Sequence, residues 1–473
     1  MKNTYYITTA IDYVNAPPHQ GHAFEKVLAD ALARWNKLQG KDVWFLTGTD
    51  ENAQKNAQAA KEKGIPTIDF VNQNSKIFIE LCKKLNVNYS RFIRTTEKEH
   101  IKKSQELFKQ AFDNGDIYKG KYEGYYCIGC EGFKTEKDIV DGKCPEHNKE
   151  PEWMSEEAYF FKLSKYKDQI IEFAEDYIVP EKRKNEIVSR LKNEELKDLS
   201  VTRTNIDWGI DCPIDKKHKI YVWFDALINY ISGADKYWPA DVHVIGKGIN
   251  WFHSVIWPAM LFSTKQKLPK KLLVHGYLNS KGQKMSKSLG NVINPLELIE
   301  KFGADSVRYS LLRCSVFEDS DYSEEALIER HNNELANKLG NLISRVSALA
   351  EKYGLEKTEI KSLSSKSLQK SLENHFDSFE LDRALNEIFS FIDKCNEFIQ
   401  DKKPWETKDK KVLYELSNAI KDFTILLSPF IPETCEKIAK TLNFELSLKS
   451  LNAELKISPI KKSDILFKKI VFV

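Results

Sequence analysis

The run from Gly282 to Asn291 places two lysines and two hydroxyls in five residues, Lys284-Met285-Ser286-Lys287-Ser288. A glycine-bracketed loop of this kind can close over a polyphosphate and neutralise charge as it builds up in a transition state. A lone Lys-x-x-Lys is more often a solvated surface loop, but a second motif changes its weight. His19-Gln20-Gly21-His22 follows soon after the first β-branched and aromatic run. The start of a helix offers unpaired N–H groups and a positive dipole end, which favour phosphate. Gly21 would let a ligand approach the backbone, and the two imidazoles can donate to phosphate oxygens. A third constellation, Cys127-x-x-Cys130 and Cys144-x-x-His147 with thirteen residues between the pairs, has the ligand types and spacing of a zinc knuckle. Three thiolates and one imidazole leave no open coordination position, so one structural Zn²⁺ is expected rather than a catalytic one.

These groups need elements to hold them. Residues 4–11 (TYYITTAI) read as a buried strand. A turn follows at 15–18, and 21–39 has helical period, with Phe24, Val27, Leu28, Ala31, Leu32, Trp35 and Leu38 on one face before Gly40. Residues 42–47 (DVWFLT) form the next strand. This βαβ opening predicts parallel strands with a ligand at their carboxyl ends. The α/β rhythm runs to about residue 117, breaks over 118–217 as an insertion would, and resumes with strand patterns at 219–224, 242–245 and 272–275.

From about 325 the pattern is helical. Leu335, Leu339, Leu342, Val346 and Leu349 step by four and three, as do Leu381, Leu385, Ile388, Ile392 and Cys395, and then Leu413, Leu416, Ile420, Phe423 and Leu427. Three such helices make a bundle. Ser362–Ser371, rich in Ser and Lys, reads as a loop, and the tail ILFKKIVFV as a strand or an extended arm.

Composition bounds the rest. A chain of 473 residues exceeds one domain. Its 72 Lys+Arg against 69 Asp+Glu, a net charge of +3, neither demand nor exclude a nucleic-acid partner, which needs a local patch. MKNTYYITTA lacks the apolar core of a signal peptide, and no apolar run reaches membrane-spanning length. Eight cysteines in so long a chain are no disulfide scaffold, and the five outside the knuckle read as ordinary thiols. A cytoplasmic location is expected.

The paired motifs resemble the HxGH and KMSKS signatures of class I aminoacyl-tRNA synthetases. The wider contexts TTAIDYVNAPPHQGHA, FLTGTDEN, YVWFDALINY and HGYLNSKGQKMSKSLGNVINP are similar to the methionyl-tRNA synthetases in particular, over nearly the whole chain. The resemblance implies an α/β chain: a Rossmann-like parallel-sheet catalytic domain (1–117 and 218–278) with a zinc-knuckle insertion (118–217). A KMSKS and stem-contact region (279–330) and an α-helical anticodon-binding domain with a tail (331–473) would follow. It implies activation of L-methionine by ATP with Mg²⁺, then transfer to the 2′-hydroxyl at the end of tRNA(Met).

Carried over by motif, His19, His22, Lys284 and Lys287 would be catalytic. Gly21, Gly246, Met285, Ser286 and Ser288 would join them around ATP. Ile11, Tyr13, Trp223, Ala226, Leu227, Tyr230, His253 and Ile256 would line the methionine pocket, and Asp50 would pair with the substrate ammonium. Asn341, Arg345, Pro404 and Trp405 would read the anticodon, since Arg and Trp can stack on unpaired bases. By composition alone, the apolar members of these sets would read as plain core.

The span between the nucleotide motifs is too short for a large editing domain, and with no appended C-terminal domain in view a monomer is expected. Two alternatives remain: a diverged paralogue activating another amino acid or serving as an inhibitor-tolerant second copy, and a non-catalytic tRNA-binding relative. Four residues depart from the family pattern. Gln20 replaces an apolar residue, Asn52-Ala53 replaces His-Gly, and Gly248 replaces an Asp that would contact the ATP ribose. All were expected to border the nucleotide or amino-acid site and to weaken ATP binding.

Overall fold

The structure is a computed structural model describing residues 3–471, apart from 128–131, 135–137, 146–148, 205, 281, 285–292 and 452. Of Tyr122, Gly132, Phe133, Glu156 and Lys284 it describes the backbone alone.

Three strands open the chain: β1 (Thr4–Tyr13), β2 (Asp42–Asp50) and β3 (Arg91–Arg94). Helix α1 (Gln20–Leu38) connects the first two. The main sheet is parallel, in the order β3, β2, β1, Val242–Gly246, Lys271–His275, Ile178–Val179. Chain order runs outward from β1 in one direction and resumes on its other side. That reversal opens a crevice at the carboxyl ends of β1 and Val242–Gly246, where open α/β sheets hold their ligands.

The sheet's composition explains its burial. In β1, Tyr6, Ile7, Thr8 and Thr9 are all at 1 % exposure or less, because helices cover both faces. α1 turns Ala23, Phe24, Val27, Leu28, Ala31 and Leu32 into the core, as its period requires. The final edge strand, Ile178–Val179, is drawn from inside residues 118–217. The rest of that stretch forms an antiparallel sheet in the order Gly132–Lys134, Ile117–Cys127, Glu152–Phe161, Leu199–Ser200, with two helices, Lys167–Tyr177 and Glu181–Asn193.

Two expectations need correction. In 219–224 only Lys219–Ile220 is a strand, and Val222–Ala226 is a helical turn. An unbroken aromatic and β-branched run has no period by which strand and buried helix can be told apart. Ser362–Ser371 is not all loop, since Lys366–Asp377 is a helix whose Leu368, Leu372 and Phe376 form a buried stripe at fourfold spacing. The tail takes the second of its two expected forms. As far as Val471 it has no regular structure and lies as an arm, with His331 Nε2 on the Lys468 carbonyl at 2.8 Å and Asn332 bonded twice to Ile470.

The bundle comprises Asn341–Tyr353, Lys366–Asp377, Leu381–Lys402, Lys410–Leu427 and Pro432–Leu442. It shares one core with the underside of the sheet domain. Trp35 near the end of α1 stacks on Phe376 at 4.2 Å. The fully buried Arg308 pairs with Asp30 of α1 at 2.7 Å and donates to the Phe430 and Pro429 carbonyls, each at 2.9 Å. A buried guanidinium is tolerable only with this degree of satisfaction. Among the described residues no helix is long and apolar enough to cross a membrane.

Candidate active site at the switch-point crevice

His19 caps α1. Its Nδ1 accepts the Gly21 N–H at 3.1 Å, and His22 Nδ1 accepts the His19 N–H at 3.0 Å. This reciprocal capping box has histidines in the roles that Ser and Glu usually take. A Cβ at Gly21 would lie 2.9 Å from the His19 ring and push it out of this cap. The two rings stack at 3.9 Å.

The hydrogen bonds settle the tautomers. An Nδ1 that accepts cannot carry the proton, so each neutral ring bears its hydrogen on Nε2. Burial, and then the Lys26 ammonium, push the pKa of His22 down to about 3. The ring is therefore a neutral donor across the physiological range.

Beneath the histidines lies a buried charge cluster that sequence reasoning missed. Lys26 Nζ is 2.9 Å from Asp12 and 3.2 Å from Glu25, and donates to the Ala10 carbonyl at 3.0 Å. Glu25 in turn meets His275 Nε2 at 3.2 Å, tying α1 to the carboxyl end of Lys271–His275. Burial raises Glu25, but Lys26 and His275 outweigh it and bring the pKa down to about 2. For Asp12 burial wins, lifting it to about 6. Only the i, i+1 acidic–basic pair Glu25-Lys26 on an otherwise apolar helix face signalled this cluster.

At the carboxyl end of β1 the described residues close around a cavity of about 20 Å³. Ile11, Tyr13, Asp50, Trp223, Ala226, Leu227, Tyr230 and His253 line it, joined by Ala10, Asn229 and Ile249, which the sequence did not single out. Ile256 is buried nearby but does not line it. That volume holds about one water, so a methionine side chain would need the walls to move. Trp223 forms one wall: it stacks on Phe252 at 3.8 Å and meets Tyr13 edge-on at 6.2 Å.

His253 is placed by a π-helical turn, Phe252–Ile256, a distortion common at functional sites. Its Nδ1 lies 3.0 Å from the Ile249 carbonyl and its Nε2 2.7 Å from the Tyr230 hydroxyl. A carbonyl only accepts, so Nδ1 donates and the tyrosine donates to Nε2. Burial lowers the His253 pKa to about 4.

The departures divide. Asn52 turns inward, donating to the Thr95 carbonyl and to Asp225, both at 3.1 Å. It thus braces the helical turn that carries Trp223. Ala53 is fully buried. Gln20 is fully buried, with neither amide atom bonded among the described residues. Gly248 lies at the crevice rim, in a short turn after Val242–Gly246.

Of the lysine loop, Lys284 ends the short strand Gln283–Lys284, while Met285, Ser286, Lys287 and Ser288 lie outside the described residues. So do Cys130 and His147 of the expected knuckle. Cys127 and Cys144 are both buried, and among the described residues no group of three or more ligand side chains could hold a metal.

In the bundle, the Arg345 guanidinium lies 5.2 Å from the Trp405 ring and Nη2 donates to Gln400 at 3.1 Å. Pro404 begins the short helix Pro404–Thr407, and Asn341 begins Asn341–Tyr353. Lys338, Asp393, Asn396, Glu397, Gln400 and Asp401 line an open groove of about 630 Å³. Gln400 was not anticipated, because it belongs to a different helix from Arg345.

Comparison with known proteins agrees with this geometry. The family described as tRNA synthetases class I (M) matches residues 5–152 and 146–347, and the anticodon-binding domain of tRNA ligase matches 364–467. Methionine–tRNA ligase of Clostridium tetani is 42 % identical over 99 % of this chain and 79 % of its own length. That of Rickettsia conorii is 42 % identical over 93 % of both. The chain belongs to the class I methionine–tRNA ligases. A solved methionyl-tRNA synthetase of this family, from Mycobacterium tuberculosis in complex with methionyl-adenylate, superposes with a TM-score of 0.95. It shares 37 % identity and is matched over 99 % of this chain and 100 % of that one.

Proposed function

We propose that the chain activates L-methionine with ATP and transfers it to tRNA(Met). The observation that carries this reading is that stacked His19 and His22, at the start of α1, and a small aromatic-lined cavity both sit at the carboxyl end of β1. In the first step a methionine carboxylate oxygen bonds to the α-phosphorus, the bond to the bridging oxygen breaks, and pyrophosphate leaves with its electron pair. No side-chain nucleophile or proton transfer is needed, so catalysis is positioning plus charge stabilisation.

The Nε2–H groups of His19 and His22 would donate to the phosphate oxygens. Lys284, Met285, Ser286, Lys287 and Ser288 would close over them, and Mg²⁺ would offset triphosphate charge. Asp50 would hold the substrate ammonium at the cavity mouth. In the second step the 2′-hydroxyl of the terminal ribose attacks the methionyl carbonyl, AMP leaves, and the hydroxyl proton passes to the leaving phosphate or water. Asn341, Arg345, Pro404 and Trp405, with Gln400, would bind the unpaired anticodon bases by stacking and hydrogen bonding.

Cys127, Cys130, Cys144 and His147 would hold one zinc. Three thiolates and an imidazole suit that ion, and the burial of Cys127 and Cys144 suits a metal that folds the insertion. Residues 1–117 and 218–278 would be the catalytic halves, 118–217 the insertion, 279–330 the loop and stem-contact region, and 331–473 the anticodon-binding domain, in a cytoplasmic monomer.

ATP–pyrophosphate exchange measured with each of the twenty amino acids tests the reading. Exchange dependent on methionine supports it. Exchange with another amino acid alone assigns the chain to a diverged paralogue, and none with any amino acid leaves only tRNA binding.

A further inference from the structure

Gly248 and Tyr277 leave adjacent parallel strands side by side. Gly246 is paired with His275, and each of the two residues lies two positions further on. A Cβ built at 248 would be 2.0 Å from the Tyr277 hydroxyl oxygen and 3.2 Å from its Cζ. The tyrosine hydroxyl therefore occupies the volume that any side chain at 248 would need. Gly248 does not have a left-handed backbone, so glycine is not there for conformation. Space is what it provides.

The backbone that carries the ring is held at several points. Asp319 accepts the Tyr277 N–H at 2.9 Å and pairs with Lys247 at 2.7 Å. The Lys247 ammonium lies 4.6 Å from the Tyr277 ring centre. Gly276 runs flush against the chain at Glu318, where a Cβ would be 2.4 Å from the Glu318 carbonyl. Half-buried Tyr277 thus stands on a fixed backbone with its hydroxyl beside Gly248 at the rim.

This rim lies at the same, carboxyl, end of the sheet as the start of α1. His22 and Glu25 lie one turn apart on α1, and Glu25 reaches His275, two residues before Tyr277. With phosphates at the amino end of α1, a nucleoside lying in that crevice would reach the ends of Val242–Gly246 and Lys271–His275, since open α/β sheets hold their ligands at the carboxyl ends of the strands. We propose that Tyr277 is a ribose-positioning residue, its hydroxyl bonding a sugar hydroxyl of ATP from the space that Gly248 leaves empty. This rests on the reading of the crevice as an ATP site. It replaces the expectation that Gly248 simply forfeits a ribose contact.

The test pairs ATP affinity, measured by calorimetry, with KM and kcat for methionine-dependent exchange. The substrates are ATP, 2′-deoxy-ATP and 3′-deoxy-ATP, and the proteins are the full chain, Tyr277→Phe, Gly248→Ala and the double variant, with melting temperatures as a check on folding. Tyr277→Phe is expected to weaken ATP about 3- to 10-fold, the range of one net hydrogen bond, with kcat little changed. One of the two deoxynucleotides should show no such loss, because it lacks the bonded hydroxyl. Gly248→Ala, which displaces the tyrosine, should weaken ATP in the Tyr277 background but add little to Tyr277→Phe.

Unchanged ATP affinity in Tyr277→Phe overturns the proposal, as does an equal loss for ATP and both deoxynucleotides or full additivity of the two substitutions. If the unaltered chain binds ATP without methionine-dependent exchange, the activation reading fails while the affinities still decide the role of Tyr277. If it binds no ATP, both fail.

Discussion

Gln20 offers a direct test of the energetics of the α1 start. Its side chain is fully buried and neither amide atom has a hydrogen-bond partner among the described residues. Leaving a buried donor or acceptor unsatisfied costs about 1–3 kcal/mol. Leucine has nearly the same reach, so Gln20→Leu removes both polar atoms without a large change in volume. The net gain is expected to be about 1–3 kcal/mol, taking one group's cost as the measure because repacking the branched end recovers part of the other. In a unit larger than 250 residues each kcal/mol moves Tm by about 1–2 °C, so a rise of about 1–6 °C is expected in differential scanning calorimetry of the ligand-free protein. An unchanged or lower Tm would refute the reasoning and mean that the amide is satisfied, as by a buried water. A gain that disappears when ATP is added, with KM for ATP raised, would instead give the amide a partner in the nucleotide complex.

Replacing His22 by alanine should lower kcat for ATP–pyrophosphate exchange about 10²- to 10³-fold, the usual cost of one preorganised donor, with a smaller change in KM for methionine. Trp405→Ala should raise KM for tRNA(Met) about 10-fold in aminoacylation, as expected for one lost stacking platform, and should act there rather than on the kcat of exchange. Three buried histidines and half-buried His22 make the fold acid-sensitive: desolvation lowers His22 to about 3, His100 and His253 to about 4, and His243 well below 6.5. Below about pH 6.5 the unfolded chain therefore binds protons that the folded chain does not, and stability falls as pH drops. Tm should decrease from pH 7 to 5, and the decrease should be shallower in His243→Gln.

Much of the architecture was legible because periodicity carries it. The burial of α1 follows from its apolar spacing, and the parallel sheet from strands separated by helices. Legibility failed where no period exists. Val222–Ala226 is a helical turn inside an aromatic run, and Lys366–Asp377 hid its leucine stripe among serines and lysines. Ile178–Val179 is too short for any pattern to announce, yet it closes the edge of the main sheet.

The candidate site divides in the same way. Residue types and spacing named the histidine pair, the lysine loop and the knuckle, because each is a local motif with its own chemistry, whereas most of the cavity lining came only from the resemblance to the methionyl-tRNA synthetases. Only the tertiary structure decided how they act. It determined which imidazole nitrogen bears the proton, since that depends on which backbone N–H each Nδ1 receives. It showed Asn52 donating to Asp225, in the helical turn that carries Trp223. It also set the Tyr277 hydroxyl into the space beside Gly248, twenty-nine positions away in the chain. Such contacts arise between neighbouring strands and helices whose register no single segment encodes, and the hydrogen bonds that tune the site are made there.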